Sequence, residues 1–424
     1  MPRTIDGAVR QGGRSRLFSK EIFSWCLYDF ANSSYSAVMA TVIFPVYYVN
    51  TIVGNEAGLG DLWWGRAISL SMAFVAVSSP FIGGIADYGG LRKRFLIGYS
   101  MLTILSVVLM FVLQPGMVLT GFLLIVIANI GLEGGLVFYN SYLPVIADRQ
   151  HQGRVSAWGF GIGYIGSFAA LIMALPFVKA DMLSLVWPLV AVFFLVFAMP
   201  AFINLPGDRK EKDDNRGIVE AAIYNARQTL GSLRALLKER ELRRFLIAYF
   251  IYEDGVNTVI VFSSIFAAST LNFNNTELIY LFMTVQVTAF AGAMLMARPI
   301  DMWGPKKVII ISLILWSAIA IVSYFVTAKG EFFVVATTAG FGLGTVQAAS
   351  RAFFAGFIPP GRESEYFGVY SMIGKTSAIL GPLLFGMTSA YFRSQRPAIV
   401  SISVFFTVGL ILLLRVKSPH ERPI

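Results

Sequence analysis

The sequence is poor in charged residues and in the side chains from which metal sites and disulfides are built. Only 14% of its 424 residues are Asp, Glu, Lys or Arg, whereas a soluble domain carries about 25%. It has one cysteine, Cys26, and two histidines, which excludes an internal disulfide and a zinc site of spaced Cys and His ligands. A phosphate-binding loop of the GxxxxGK[ST] type is also missing. We therefore expect no ATP-driven chemistry, no enzyme activity and no bound cofactor or metal.

The chain instead has long apolar runs. Hydrophobic residues make up 56% of the sequence and the mean hydropathy is +0.68. Runs of about 20 apolar residues, the length that crosses a bilayer as a helix, recur from end to end. Continuous apolar runs do not fit lipid-facing barrel strands, which alternate in polarity. We predict an all-α membrane protein with twelve transmembrane helices, near residues 22–49, 63–86, 94–114, 117–143, 155–178, 184–204, 244–269, 276–298, 306–328, 332–355, 365–390 and 396–415.

Basic residues are distributed unevenly between the predicted loops. Of the 34 lysines and arginines, 27 fall on the side that holds both termini and four on the other side, while Arg66, Arg351 and Lys375 fall within spans. Because positive residues stay on the cytoplasmic side, both termini are predicted to be cytoplasmic. The first 20 residues lack the apolar core of a signal peptide, which agrees with this orientation. The net charge of +10 then reflects orientation rather than nucleic-acid binding.

Two loops about half a chain apart, residues 83–94 and 297–307, share one pattern. In each loop a glycine lies three positions after an aspartate, and basic residues lie five and six positions after the same aspartate. Both loops lie between apolar runs, so the pattern indicates a large internal repeat. The first copy contains Gly83, Asp87, Gly90, Arg92, Lys93 and Arg94, and the second contains Asp301, Gly304, Lys306 and Lys307.

The long loop at 205–243 divides the predicted spans into six and six. We predict an N-terminal six-helix bundle at 1–204, a cytoplasmic central loop at 205–243 and a C-terminal six-helix bundle at 244–424. Apolar positions from Ile218 to Leu237 are spaced for an amphipathic helix on the membrane surface, although a plain linker fits the loop as well.

These features together resemble the major facilitator superfamily. In that superfamily a loop similar to the one that begins at Gly83 here lies after helix 2 and again after helix 8. Residues 25–33, Phe44-Pro45, residues 347–351 and residues 363–382 are similar to the vacuole-effluxer branch of that superfamily. This branch contains bacterial and fungal facilitators, and its yeast member is associated with amino-acid export from the vacuole. The resemblance implies a secondary transporter that works by alternating access, with helices 1, 4, 7 and 10 lining a central cavity.

Arg66 lies close to a helix end, but six other charged residues fall deeper in the predicted spans, where a charge costs at least about 2.5 to 3.5 kcal/mol at mid-helix. They are Asp29, Glu133, Glu253, Asp254, Arg351 and Lys375. By the resemblance, five of the six lie on cavity-lining helices. Neutral polar groups on the same helices extend this surface. We predict that substrate binding or coupling involves Asp29, Asn32, Tyr35, Glu133, Asn140, Glu253, Asp254, Asn257, Gln347, Arg351 and Lys375.

Each charged residue also has a purely structural interpretation. Asp29 and Asp254 can cap neighbouring helices or pair with loop bases. Glu133, flanked by glycines, can form a hydrogen bond across a close helix contact. Arg351 can be an ion-pair partner of Glu253 or Asp254. The functional alternative is a zwitterionic substrate with its ammonium group near helices 1 and 4 and its carboxylate near Arg351.

The two repeated loops are predicted to act in gating. Asp87 ends predicted helix 2 and can pair with Arg92 or Arg94, forming a latch that breaks when the halves move. The alternative is that these bases only follow the positive-inside rule. A different glycine set, Gly159, Gly161, Gly163 and Gly166, is interpreted as a helix-packing seam, because no strand precedes it as a dinucleotide site requires.

The function predicted from these observations is efflux of a small amino-acid-like solute by a monomeric transporter in a lipid bilayer. The cavity carboxylates, with Glu133 the deepest, predict coupling to protons. The sequence favours a bacterial inner membrane over a vacuolar one. An exporter or flippase of a lipid-like or drug-like amphiphile is the alternative. A non-transporting sensor or scaffold is disfavoured, because the central loop is too short for a folded signalling domain.

Overall fold

The computed structural model describes residues 19–147, 152–207, 218–358 and 363–418. Over these ranges the chain is helical and has no strand, which confirms the predicted all-α membrane fold. Eleven helical spans of the described chain are long and apolar enough to cross a bilayer, and a pair of shorter helices lies where the eleventh of the twelve predicted spans was expected. In chain order the helices are α1 Lys20–Val53, α2 Leu59–Gly89, α3 Arg92–Val112, α4 Val118–Ser141, α5 Gln152–Lys179, α6 Leu183–Asn204, α7 Arg240–Leu271, α8 Asn275–Trp303, α9 Pro305–Phe325, α10 Lys329–Ala355, α11 in two segments, Glu363–Thr376 and Leu380–Phe392, and α12 Gln395–Leu414.

Helix α1 is irregular over its second half. It is α-helical over Lys20–Ser34, π-helical over Tyr35–Val42, α-helical again at Phe44–Val46 and π-helical over Tyr47–Val53. Such π-helical turns are rare and occur frequently at functional sites. The wider turns also change which side chains of α1 share a face, which matters for the cavity described below.

Several shorter elements complete the fold. Helix α3 ends in a 3-10 turn, Met110–Val112, and α8 consists of Asn275–Leu295 followed by Ala297–Trp303. A short helix, Leu143–Ile146, follows α4. The loop between the halves contains the helix Ile218–Lys238, which packs against α2.

The glycines of α5 pack directly against α1. A β-carbon on Gly166 would overlap the Phe30 carbonyl oxygen, and one on Gly159 would lie 2.6 Å from the ring of Trp25. Small residues allow membrane helices to approach closely, so van der Waals contact replaces the hydrophobic effect as the cohesive force. These contacts, with that of Gly163 beside Ser33, support a packing seam for Gly159, Gly163 and Gly166, whereas a β-carbon on Gly161 would meet no neighbouring atom of the described residues.

The C-terminal half uses the same device between α8 and α10. A β-carbon on Gly292 would overlap the Phe341 carbonyl oxygen, and one on Gly344 would overlap that of Ala289. In this half α7 and α9 also pack on α12, whereas in the first half α1 packs on α5 and α6.

Two ends of the molecule can be distinguished by chain direction. We call the end where α1 begins and α12 ends the terminal face, and the opposite end the far face. Hydrogen bonds join the two halves toward the far face: Ser264 on α7 donates to the Thr41 carbonyl of α1, and Ser269 donates to Asn50, with a separation of 2.7 Å. The cleft between the halves is therefore closed at its far end.

We propose that the halves correspond to the predicted domains, 1–204 and 244–424, joined by the loop 205–243. Helix α6 ends at Asn204. Helix α7 begins at Arg240, four residues before the predicted boundary.

Candidate functional site

The candidate site is organised around a break in α11. The sequence predicted one continuous span at 365–390, and this prediction is wrong, because the helix stops at Thr376 and resumes at Leu380. Pro382 favours the break, since it has no N–H and fits the first turn of a helix better than its interior. The Gly381-Pro382 pair was the signal in the sequence that could have predicted this break.

Asp254 caps the second segment of α11. Both of its carboxylate oxygens accept the backbone N–H of Gly381, each at 2.9 Å, and the side chain is only 1% exposed. A carboxylate at a helix N-terminus is favoured by the unpaired N–H groups and by the helix dipole. In this structure Asp254 therefore caps a helix, which is the structural alternative considered for it above, and it is not exposed to solute.

The break is also held from both halves. On one side, Asn257 of α7 donates to the Ser377 hydroxyl at 3.2 Å. On the other, the Ser69 hydroxyl of α2 donates to the Ile379 carbonyl at 2.7 Å. A broken membrane helix needs such partners, because unpaired backbone groups are costly in hydrocarbon. The unwound segment is therefore a defined structural element that contacts both bundles.

An ion pair crosses the cleft next to this break. The amine of Lys375, on the first segment of α11, lies 3.3 Å from a carboxylate oxygen of Glu133 on α4. The side chains are 25% and 19% exposed, so the pair is largely but not fully withdrawn from solvent. Within the described chain, this amine has no hydrogen-bond partner. Attraction to Glu133 is therefore the contact that compensates its charge, and it joins the two halves.

Asp29 adds a second acid close to this pair. It accepts a hydrogen bond from Asn32 at 3.2 Å, and Lys375 is near enough to interact with it electrostatically. A β-carbon on Gly163 of α5 would lie 3.4 Å from its carboxylate, so the glycine seam leaves room for the acid. The structure thus brings together three of the predicted charged residues, two acids from one half and one base from the other.

Asn32 and Tyr35 were predicted to take part in substrate binding or coupling, and both side chains are buried in this structure. The Asn32 amide donates to the Tyr28 carbonyl at 3.0 Å as well as to Asp29, so it orients the acid within α1. Tyr35 is 3% exposed within the π-helical stretch. Asn140, in contrast, is exposed near the terminal end of α4 and lies apart from this group.

Glu253 and Gln347 cross-link α7 to α10. The Gln347 amide donates to the Glu253 carboxylate at 2.5 Å, and the hydroxyls of the adjacent Tyr252 and of Ser350 are 2.7 Å apart. Glu253 is buried by this contact. Within the described chain Glu253 forms no ion pair with Arg351, so its structural partner here is Gln347 and not the base.

Arg351 instead reaches across to the other half. Its guanidinium lies 5.1 Å from the centre of the Phe160 ring on α5, which is a cation–π contact, and the side chain is otherwise exposed. Tyr164, one turn further along α5, is also exposed and near enough to interact with the charge of Arg351. Arg351 lies four residues before the end of α10, so it is placed at the terminal side of the cleft.

A cavity of about 250 Å³ lies between the halves, on the far side of the charged residues. Apolar and aromatic side chains form most of its wall, together with a few neutral polar groups from both halves. Sequence reasoning missed these groups, because isolated serines and threonines in apolar helices carry no specific signal. They are Ser36 and Thr41 of α1, Ser167 of α5, Ser263 of α7, Gln286 of α8 and Ser323 of α9.

The glycines of the repeated loops have a conformational explanation. Gly90, which directly follows α2, has φ +60°, and Gly304, which precedes α9, has φ +84°. Side chains with a β-carbon rarely adopt positive φ, so both positions favour glycine. A β-carbon on Gly83 would meet no neighbouring atom of the described residues, so this position shows no comparable constraint.

The lysines of the two loops make equivalent contacts. Lys93, the second residue of α3, donates to two carbonyls near the end of α6 at 2.9 and 3.1 Å. Lys306, the second residue of α9, donates to two carbonyls at the end of α12 at 2.6 and 3.4 Å. By its contacts Lys93 is therefore equivalent to Lys306, whereas by its distance from the aspartate it would correspond to Lys307. The difference arises because α9 begins four residues after Asp301 and α3 begins five residues after Asp87. Both lysines compensate unpaired carbonyls at a helix C-terminus.

The predicted Asp87 latch depends on a side chain that lies outside the described residues. Arg92 is described, and it donates to the Ser141 carbonyl at 3.4 Å and lies 5.8 Å from the ring of Tyr142. Arg92 therefore contacts the end of α4, which belongs to the same half of the protein as Arg92. The remaining predicted gating residues, Arg94, Asp301 and Lys307, are exposed at the terminal face.

Comparisons with known proteins agree with this architecture. A sequence profile of the family described as "Vacuole effluxer Atg22 like" matches residues 66–423. The uncharacterized MFS-type transporter YxiO of Bacillus subtilis (strain 168) is 28% identical over 410 residues, covering 93% of this chain and 94% of its own. Autophagy-related protein 22 of Coccidioides immitis (strain RS) is 24% identical over 498 residues, covering 98% of this chain and 81% of its own.

Solved structures with the same fold include other transporters. The nucleoside transporter NupG has a TM-score of 0.68 and 14% identity, covering 96% of this chain and 100% of its own. A bacterial homolog of the human lysosomal transporter Spinster, inward-facing and unoccupied, has a TM-score of 0.67 and 12% identity, covering 93% and 95%. Identities this low establish a shared major facilitator fold and carry no information on substrate.

Proposed function

The chain belongs to the vacuole effluxer Atg22-like family of membrane transporters, and from this premise we propose that it moves a small amino-acid-like zwitterion by alternating access. The observation that carries the proposal is the ion pair between Glu133 and Lys375, which joins the two halves across the cleft. A transporter of this architecture binds its solute between the halves, near the middle of the bilayer.

The ion pair suggests how a zwitterion binds. An amino acid carries an ammonium group and a carboxylate, the same two charges that Lys375 and Glu133 present to each other. When it enters, its ammonium group binds Glu133 and Asp29, and its carboxylate binds Lys375. Each protein charge exchanges one partner for another, so no charge is left uncompensated in the cleft. The neutral polar groups and apolar wall of the adjoining cavity hold the remainder of the solute.

Arg351 serves entry rather than final binding in this proposal. Its exposed guanidinium at the terminal side attracts a carboxylate before the solute reaches Lys375. The planar guanidinium can hold both carboxylate oxygens while it stacks on Phe160. Gln347, Glu253, Asp254 and Asn257 support the site by fixing α7, α10 and the break in α11.

We propose that the terminal face is cytoplasmic, in agreement with the distribution of basic residues. The state with the far face closed then receives solute from the cytoplasm, which fits efflux. Glu133 is the carboxylate that we propose exchanges a proton, because in the empty transporter it loses Lys375 when the halves separate and no solute ammonium group is then present to compensate it. Proton entry from the far side and release to the cytoplasm would then drive export by a monomer in a bacterial inner membrane.

The test compares matched sets of ligands in a thermal-shift assay on purified protein. Each set contains an amino acid, the amine that lacks its carboxylate, and the acid that lacks its amino group. We expect the zwitterion to raise the melting temperature more than either analogue, and this preference to be lost in Lys375→Gln. Lys179→Gln, which removes an exposed lysine at the far end of α5, is the matched control. Equal stabilisation by all three ligands would contradict a zwitterion site.

A second candidate is transport of an amphiphile, and the cavity is the observation that favours it. Its wall contains Phe262, Phe266, Phe282, Trp316 and Phe332, so it offers a large aromatic surface. This candidate predicts that neutral amphiphiles stabilise the protein and that neither Lys375→Gln nor Glu133→Gln weakens their effect. The same melting experiments therefore distinguish the two functions.

A further inference from the structure

A second buried acid, Asp61, lies far from the candidate site, at the far face. It is in the first turn of α2 and is 0% exposed. Its carboxylate accepts hydrogen bonds from Asn55 at 3.1 Å, from the Ser389 hydroxyl at 2.5 Å and from the Gln395 amide at 2.8 and 2.9 Å. Ser389 is on α11 and Gln395 begins α12, so most of these bonds come from the opposite half.

The network extends further through the same groups. The side-chain carbonyl of Asn55 accepts the backbone N–H of Asp61 at 3.2 Å, which fixes the loop before α2. The side-chain carbonyl oxygen of Gln395 accepts a hydrogen bond from the Thr270 hydroxyl at 2.7 Å, which adds the end of α7 to the network. One carboxylate therefore ties together the far ends of three helices from one half and α2 from the other.

The backbones around Asp61 are also in close contact. A β-carbon on Gly386 of α11 would lie 2.7 Å from the Asp61 carbonyl oxygen, and one on Gly58 would lie 2.7 Å from the Ser389 backbone. Gly58 also has φ +69°. Water therefore cannot enter between α2 and α11 at this level, and a buried carboxylate is stable there only while its hydrogen bonds persist.

We infer that Asp61 is the positioning residue that holds the far end of the transport path closed. Alternating access requires the halves to separate at this face, and separation breaks every bond that Asp61 accepts from Ser389 and Gln395. The hydrated carboxylate is then stable in the open state, so Asp61 can form and release the contact in each cycle. It is distinct from the predicted latch at Asp87, which is at the terminal face.

The second segment of α11 connects this closure to the charged site. Gly381, capped by Asp254, and Ser389, bound to Asp61, are eight residues apart on one helix, a rise of about 12 Å. Lys375 is two residues before the break that starts this segment. Movement of the break when Lys375 changes partner is therefore transmitted along a single rigid segment to the far closure. This coupling step rests on the proposed function, whereas the closure itself does not.

The test measures the distance between the halves at the far face. In a Cys26→Ala background, Thr51→Cys on α1 and Tyr391→Cys on α11 place spin labels at exposed positions of opposite halves. Double electron–electron resonance on protein in nanodiscs then gives the populations of short and long distances. We expect Asp61→Asn to raise the ratio of long to short distances at least about fivefold, the change that about 1 kcal/mol produces.

Two variants make the result specific. Glu56→Gln removes an exposed carboxylate from the same face and should leave the distances unchanged. Ser389→Ala removes one donor from the opposite half and should shift the ratio in the same direction as Asp61→Asn, which also provides the test if Asp61→Asn fails to fold. Wild-type distance distributions in the folded variants would overturn the inference. The distance measurement needs no solute, so the two proposals can fail separately. A shifted distance in the variants, together with no preference for zwitterions in the thermal-shift assay, would support the closure by Asp61 and contradict the proposed function.

Discussion

The Glu133–Lys375 ion pair makes a quantitative prediction, since its geometry sets an upper limit on its energy. Two unit charges 3.3 Å apart attract by about 5 kcal/mol at an effective dielectric constant of about 20. Loss of hydration offsets much of this attraction. Exposed pairs contribute about 0 to 1 kcal/mol, whereas breaking a fully buried pair costs about 3 to 5 kcal/mol. With side chains 19% and 25% exposed, we expect a coupling energy between these limits, about 1 to 2 kcal/mol.

A double-mutant cycle measures this coupling. The variants are Glu133→Gln, Lys375→Gln and the double substitution, and the measured quantity is the free energy of unfolding in mixed micelles. Each single variant leaves one charge without its partner, so each should destabilise the protein. The double variant should be more stable than the sum of the two losses predicts. Losses that add within about 0.5 kcal/mol would mean that the two residues do not interact, and would refute the reasoning.

Two further predictions concern the residues around the pair. Arg351→Lys keeps the charge but loses the planar group that stacks on the ring of Phe160; because Arg351 acts in entry, it should lower the association rate of carboxylate ligands more than that of amines, measured by stopped-flow fluorescence, and equal effects on both would exclude a carboxylate contact. Asp254→Ala removes the cap of the second α11 segment, and because hydrogen bonds to a charged group contribute about 1.5 to 3 kcal/mol, it should lower the free energy of unfolding by about that amount. Asp301→Ala, an exposed acid at the terminal face, is the control and should have little effect.

The sequence was informative about the fold, because each span is a continuous apolar run. The prediction failed at α11, where apolar composition continues through the break and hides it. Gly381 and Pro382 marked the position, but the break is stable only because Asp254 and Ser69 compensate its backbone. Those partners come from α7 and α2, and contacts so distant in the chain cannot be derived from composition.

The site was predictable in part for a related reason. A charge within an apolar span is conspicuous, so Glu133 and Lys375 were identified, yet their pairing depends on how two bundles meet. Asp61 was missed because an acid in the first turn of a helix is ordinary, as it suits the helix dipole. Only its burial and its partners on α11 and α12 distinguish it from a surface acid.

The measurement that tests the central claim most directly is counterflow of a labelled amino acid into liposomes loaded with unlabelled solute. The account predicts that internal zwitterion accelerates entry of the label, that internal amine or acid analogues do not, and that Lys375→Gln abolishes the acceleration while Lys179→Gln retains it. Two results would contradict zwitterion transport through the ion pair. One is that neither the amino acids nor their analogues accelerate entry of the label with active wild-type protein. The other is that Lys375→Gln retains the full acceleration.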